Sequence, residues 1–159
     1  STQGDTLFPY TTLFRSIYGT GPYAKELTAC TKKDKRIEYR GLATNDEIVK
    51  AELKASVLVN PRPTHEEYTK YSFPSKNMEY MASGTPILTT RLPGMPPEYY
   101  PYIYSFEEET TESYAYIIKQ VMNLSAEELH AKGAEAKAWV LKNKSNIHQC
   151  SRILKMLKA

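Results

Sequence analysis

The sequence is poor in cysteine and histidine. Cys30 and Cys150 lie far apart in a chain of 159 residues, and the three histidines, His65, His130 and His148, are scattered. Neither residue type recurs at metal-ligand spacing, which excludes a disulfide framework or a zinc cluster as the organising element. Both thiols are expected to be reduced and semi-buried, as in a cytosolic protein. No run of about 18 apolar residues occurs, so no membrane-spanning helix is expected. Charge of one sign is lacking too: 21 Lys and Arg against 18 Asp and Glu leave a formal +3. Aromatic residues do not interleave with a basic stripe, which makes nucleic acid a poor partner. Lys132, Lys137, Lys142, Lys144, Lys155 and Lys158 cluster late in the chain. They read first as a solvated helix face, and second as a patch for an anionic membrane surface.

What is there is an alternation of short apolar runs with helical patterns. That alternation predicts an α/β fold with a parallel sheet and helices on both faces. Strands are expected at Ile17-Tyr18, Ile37–Arg40, Ser56–Val59, Ile87–Thr90 and Tyr102–Tyr104. The run at Ser56–Val59 is almost wholly apolar, as a buried parallel strand requires. Helices are expected over Tyr23–Lys33, from Thr44 to about Lys54, over Thr111–Leu124, from Ser125 to Asn143, and over Asn146–Leu157. Thr44 with Glu47, and Ser125 with Glu128, have capping-box spacing. Pro61–Tyr71 reads as a long polar loop, and tyrosines 99, 100, 102 and 104 as packing residues. His130 and His148 fall in helical stretches and are expected at the surface, whereas His65 sits in the long loop.

The most informative stretch is Phe73-Pro74-Ser75-Lys76-Asn77-Met78-Glu79-Tyr80-Met81-Ala82-Ser83-Gly84-Thr85-Pro86. At about 100° per residue, Ser75, Lys76, Glu79 and Ser83 share a polar arc opposite Met78, Met81 and Ala82. Gly84 suits a helix stop, and Pro86 blocks continuation. A helix start offers free N–H groups and partial positive charge to a phosphate. Lys76 opposes the helix dipole there, which makes sense if an anion docks. A carboxylate one turn in, Glu79, can accept hydrogen bonds from ribose hydroxyls. An ordinary amphipathic helix with a solvated Glu79 is the plain alternative.

This stretch resembles the donor-binding signature of the GT-B retaining glycosyltransferases of family four, in particular a polysaccharide-type branch with a Pro-Ser-Lys loop. The resemblance extends to Ile17-Tyr18-Gly19-Thr20-Gly21-Pro22, to Arg36–Gly41 and to Ala55–Arg62. It implies a Rossmann-like C-terminal half of a GT-B fold that holds a UDP- or GDP-sugar. The implied activity is transfer of a hexosyl group to a lipid-linked or saccharide acceptor, in bacterial surface-polysaccharide biosynthesis, without metal or other cofactor. Lys76 and Arg62 would stabilise the leaving diphosphate. Gly19, Gly21, Ser75, Glu79 and Gly94 would line the donor site. In open parallel sheets ligands bind at the C-terminal ends of the strands, and these residues are expected on one such edge. The family's first glutamate falls on Tyr71, which carries no carboxylate. Glu66 and Glu67 are the candidates nearby. A cytoplasmic location follows, with peripheral contact at the inner membrane face as the less favoured addition.

Residues 1–16 resemble a translated sequencing adaptor and are expected to be foreign. The remaining 17–159 would be the nucleotide-sugar-binding domain, with its first strand truncated. The acceptor domain and the family's basic pair ahead of Gly19 would then lie upstream, and the fragment by itself would be inactive. Two other functions fit less well. A GT-B nucleotide-sugar epimerase needs acid/base groups in the cleft. A flavodoxin-like regulatory domain needs an aspartate ending a central strand, where this chain has Asn60-Pro61-Arg62.

Overall fold

Apolar runs too short for helices pair in parallel in the computed structural model, which describes residues 15–158. The chain forms two compact units, residues 1–48 and 49–159.

In the first unit, β1 (Arg15–Tyr18) pairs in parallel with β2 (Ile37–Gly41), and α1 (Ala24–Lys33) packs on β2. Strand β1 begins two residues before Ile17: Arg15 aligns with Ile37 and Ser16 with Glu38. The rest of the segment expected to be foreign, residues 1–14, lies outside the described residues. Gly19 follows β1 with φ +116°, a conformation that side chains rarely tolerate. Asp34 turns the chain into β2 by accepting hydrogen bonds from the Arg36 backbone and guanidinium. The guanidinium holds the Asp34 carboxyl down at about 2.

The boundary between units falls inside α2 (Asn45–Lys54). Its start has the expected box. Thr44 N–H donates to the Glu47 carboxylate at 2.8 Å, and Glu47 N–H donates to Thr44 Oγ1 at 3.4 Å.

The second unit holds β3 (Leu58–Asn60), β4 (Ile87–Thr90) and β5 (Tyr104–Phe106), all parallel, in the order β3-β4-β5. Parallel pairing was expected in one sheet and occurs in two, one in each unit. Every residue of the central strand β4 is buried. Strand β3 departs from the expected buried run: it starts at Leu58, and Val59 is 44 % exposed. Among the described residues its strand partner is β4 alone. Strand β5 begins two residues later than expected, because Pro97–Tyr102 forms a 3-10 helix. Pro101, which has no N–H for a strand ladder, sits inside that turn.

Helix α3 (Ser75–Ser83) packs on β3 and β4, α4 (Thr111–Met122) on β5, α5 (Ala126–Lys144) on α3, and α6 (Asn146–Leu157) on α5. The core joins Met81 of α3, Ile87 of β4 and Ala136 and Val140 of α5 with Leu92, Met95, Tyr99 and Ile103. Tyr99 sits between Phe73 and Trp139, with ring centroids 4.5 and 4.8 Å away, and Tyr102 stacks on Trp139 at 4.7 Å. Tyr99 and Tyr102 therefore act as packing residues.

One expectation about the thiols fails. Cys30 and Cys150 are both exposed, not semi-buried, because α1 and α6 have no buried residue at all. Among the described residues no helix is long and apolar enough to cross a membrane.

Candidate functional site

Helix α3 starts where its sequence signals place it. Pro74 occupies the N-cap with extended backbone and supplies no side-chain cap. Only the Asn77 N–H is used locally, donating to Pro74 O at 3.0 Å. The N–H groups of Ser75 and Lys76 meet no acceptor among the described residues. At the other end, Gly84 adopts the left-handed conformation (φ +86°) and donates to Met81 O. Backbone torsion there stops the helix and sends the chain into β4.

The helix is held by a polar peg that the sequence reading did not identify. Asn77, 1 % exposed, accepts from Asn60 Nδ2 at 2.6 Å and donates to Thr89 Oγ1 at 3.4 Å. Thr89 in turn donates to Asn60 O at 2.9 Å. The first turn of α3 is thereby locked to the C-terminal ends of β3 and β4. Its position four residues before the buried Met81 was the available signal.

Lys76 and Glu79 are brought together. Lys76 Nζ lies 2.9 Å from Glu79 Oε2 and 3.9 Å from Glu52 Oε1. The Glu79 contact is the main reason the Lys76 ammonium is held above its ordinary value. Glu52, on α2, is a second residue the sequence reading missed. Its carboxylate looks like one more charge on a polar helix, yet it follows the apolar Ile48 by four positions. It is only 5 % exposed, and Oε1 has no hydrogen-bond partner. Burial, with the charge of Glu79 adding to it, pushes the Glu52 carboxyl above 4.5, and Lys76 pulls it back only in part.

A raised folded-state value makes ionised Glu52 a net cost at neutral pH. That cost is absent below about 4.5, where the folded and unfolded groups both carry the proton, and it grows as pH rises through the folded value. Glu52→Gln is therefore expected to raise stability by about 1 kcal/mol at pH 7.5. The gain should vanish near pH 4. Denaturant unfolding of both proteins at the two pH values measures it, and a gain unchanged by pH contradicts the assignment.

Arg62 follows β3 on the same sheet edge. Its N–H donates to Thr90 Oγ1 at 3.0 Å, while its guanidinium has no ion pair or hydrogen bond among the described residues. Gly94 is placed differently from the expectation. Its N–H is committed to Thr69 O at 3.0 Å, and a Cβ there would lie 2.8 Å from that oxygen. Glycine is needed for close backbone approach, and its own N–H is not free. Gly19 and Gly21 belong to the first unit. Gly19 donates to Gly41 O at 2.7 Å and accepts from the Tyr39 hydroxyl at 2.8 Å.

The loop 61–71 is less open than its composition implies. Glu67–Lys70 forms a 3-10 turn, and buried Thr69 donates back to Glu66 O at 2.6 Å. Tyr71 is 83 % exposed. Glu66 lies 3.4 Å from His65, whose other ring nitrogen is 3.8 Å from Glu109. A cleft of about 930 Å³ opens at the C-terminal ends of β4 and β5, lined by Thr90, Arg91, Tyr100, Glu107, Glu108 and Glu109 among others. Neither Ser75 nor Lys76 lines it. Three carboxylates make it a poor seat for a diphosphate, so the α3 start is the better anion site. Among the described residues no group of three His, Cys, Asp or Glu is arranged to hold a metal ion.

Comparison with known proteins agrees with this architecture. The family model described as "Glycosyl transferases group 1" matches residues 13–123. The crystal structure of Anabaena Alr3699/HepE in complex with UDP-glucose superposes with a TM-score of 0.68 at 15 % sequence identity. The match covers 91 % of this chain and 40 % of HepE, so the chain spans less than half the length of that protein. The likeness shows the fold, a Rossmann-like α/β arrangement with parallel strands flanked by helices. No curated protein matches the sequence.

Proposed function

The chain belongs to the glycosyl transferases group 1 family, and from that membership we propose that its second unit binds the nucleotide diphosphate of a UDP- or GDP-sugar at the start of α3. The observation that carries this is the uncapped first turn. Two N–H groups without an acceptor among the described residues, at Ser75 and Lys76, lie beside a lysine and a glutamate at the C-terminal edge of a parallel sheet. The helix start and Lys76 suit a diphosphate, and Glu79 suits ribose hydroxyls. Arg62, with its guanidinium uncommitted on the same edge, adds positive charge. The structural likeness to a protein crystallised with UDP-glucose supports the ligand class.

In this reading the chain is the donor half of a retaining glycosyltransferase. The enzyme passes a sugar to a hydroxyl acceptor held by another domain, in polysaccharide assembly at or near the cytoplasmic membrane face. Lys76 and Arg62 stabilise the departing diphosphate, the charge that develops in the transition state. No metal is assigned a role.

Isothermal titration with UDP and GDP tests the binding claim. The chain is expected to bind at least one of them weakly, and binding of neither overturns the reading. Glu79→Ala is expected to weaken that affinity about tenfold, the lower end for a charged hydrogen bond because Glu79 is partly exposed. Equal affinity in both proteins removes the ribose assignment.

A further inference from the structure

The unexplained group beside this site is Glu52. A buried carboxylate normally has its oxygens satisfied, yet Oε1 of Glu52 accepts no hydrogen bond. Its backbone is fixed: the Glu52 carbonyl accepts from the Thr85 hydroxyl at 2.7 Å, tying α2 to the turn between α3 and β4. Lys76 is the cation that faces it, 3.9 Å away, too far for a hydrogen bond and close enough for charge attraction. Lys76 meanwhile spends its close contact on Glu79. The first turn of α3 thus carries one ammonium between two carboxylates, next to backbone donors that have no acceptor. Ionised Glu52 does nothing there for the fold, because a neutral side chain of the same shape avoids the cost of burying charge.

We propose that Glu52 is a resident counter-anion of the α3 phosphate site: it shares Lys76 with Glu79, yields it to an incoming diphosphate, and takes it back when the diphosphate leaves. This rests on the phosphate reading of α3 and deepens it, for it adds a positioning residue that acts through Lys76. The ligand displaced against Glu52 is a phosphate anion, recognised by its charge and not by its nucleoside. The consequence is moderated affinity. A diphosphate must pull Lys76 from Glu52, whose Oε1 has no hydrogen-bond partner among the described residues, and this favours release of the spent nucleotide.

The experiment titrates inorganic pyrophosphate, UDP and uridine into the wild-type chain, Glu52→Gln, Glu52→Met and Glu52→Gln combined with Lys76→Ala. Removing the carboxylate that competes with the phosphate for Lys76 is expected to tighten pyrophosphate and UDP about tenfold in both Glu52 variants. Uridine should be unaffected, and the gain should disappear without Lys76. Unchanged or weaker pyrophosphate binding in Glu52→Gln overturns the proposal, as does equal tightening of uridine, which reports reshaping of the site. Should Glu52→Met fail to fold, the near-isosteric Glu52→Gln decides. Pyrophosphate that tightens as expected while UDP binds no better than pyrophosphate leaves Glu52 in its role and removes the nucleotide reading. UDP that binds all Glu52 variants equally does the reverse. Binding of none of the three probes to any variant removes both.

Discussion

Gly133→Ala is expected to destabilise this protein by at least about 2 kcal/mol, although alanine is the better helix former by nearly 1 kcal/mol. Gly133 is buried on α5 where that helix crosses the end of α3. A Cβ at this position would stand 2.0 Å from the Gly84 carbonyl oxygen, 2.9 Å from its carbon and 3.0 Å from Pro86 N. All three are backbone atoms, so no flexible side chain can swing aside. Gly84 cannot retreat either: its left-handed torsion ends α3, and the next residues enter the buried β4. Relief must come from separating α5 from α3, which opens the core between Met81 and Ala136. For a protein of this size the melting temperature should fall by roughly 4–8 °C. Nucleotide affinity should fall with it, because the same junction sets the position of α3. A melting temperature at or above that of the wild type would show that helix propensity outweighs the close approach.

Lys76→Ala carries the largest expected effect on catalysis. Assembled with the acceptor domain that the resemblance implies, the enzyme should lose about 10²–10³ in kcat, with a smaller rise in KM. Charge on the leaving diphosphate is greater in the transition state than in the bound donor, so an ammonium aimed at it acts mainly on kcat. Steady-state kinetics with saturating acceptor separates the two parameters. A change confined to KM would make Lys76 a ground-state binding group, and a silent substitution would remove it from the site. Arg62→Ala offers the comparison. Its guanidinium lacks the tie to Glu79 that restrains Lys76.

Much of the second unit was legible because its signals are local. The box at Ser125 and Glu128 sets the start of α5, with Ser125 N–H 2.8 Å from the Glu128 carboxylate. Helix α6 runs from Asn146 to Leu157 as its pattern predicts, and Gly84 stops α3 through a torsion open to glycine. The Phe-Pro-Ser-Lys stretch placed Lys76 and Glu79 one turn apart, which is a matter of helical pitch alone.

Other features depend on chain segments distant in sequence, and no local pattern encodes them. Glu52 is buried only because α2 packs where Thr85 and Lys76 come to meet it. Asn77 is a peg only because Asn60 and Thr89 arrive from two other strands. Gly94 and Gly133 look like turn and helix glycines in the sequence, and the backbone of another segment makes each irreplaceable. Cys30 and Cys150 have the composition of buried residues and lie exposed, since burial depends on what covers a helix. The sequence by itself determined the parallel α/β class, the helix starts and stops, and the one-turn spacing of the residues proposed to grip a phosphate, because torsions, caps and spacing act within one turn of chain. Tertiary structure alone decided which of those residues are free to do so, because the partners that occupy or release them come from elsewhere in the fold.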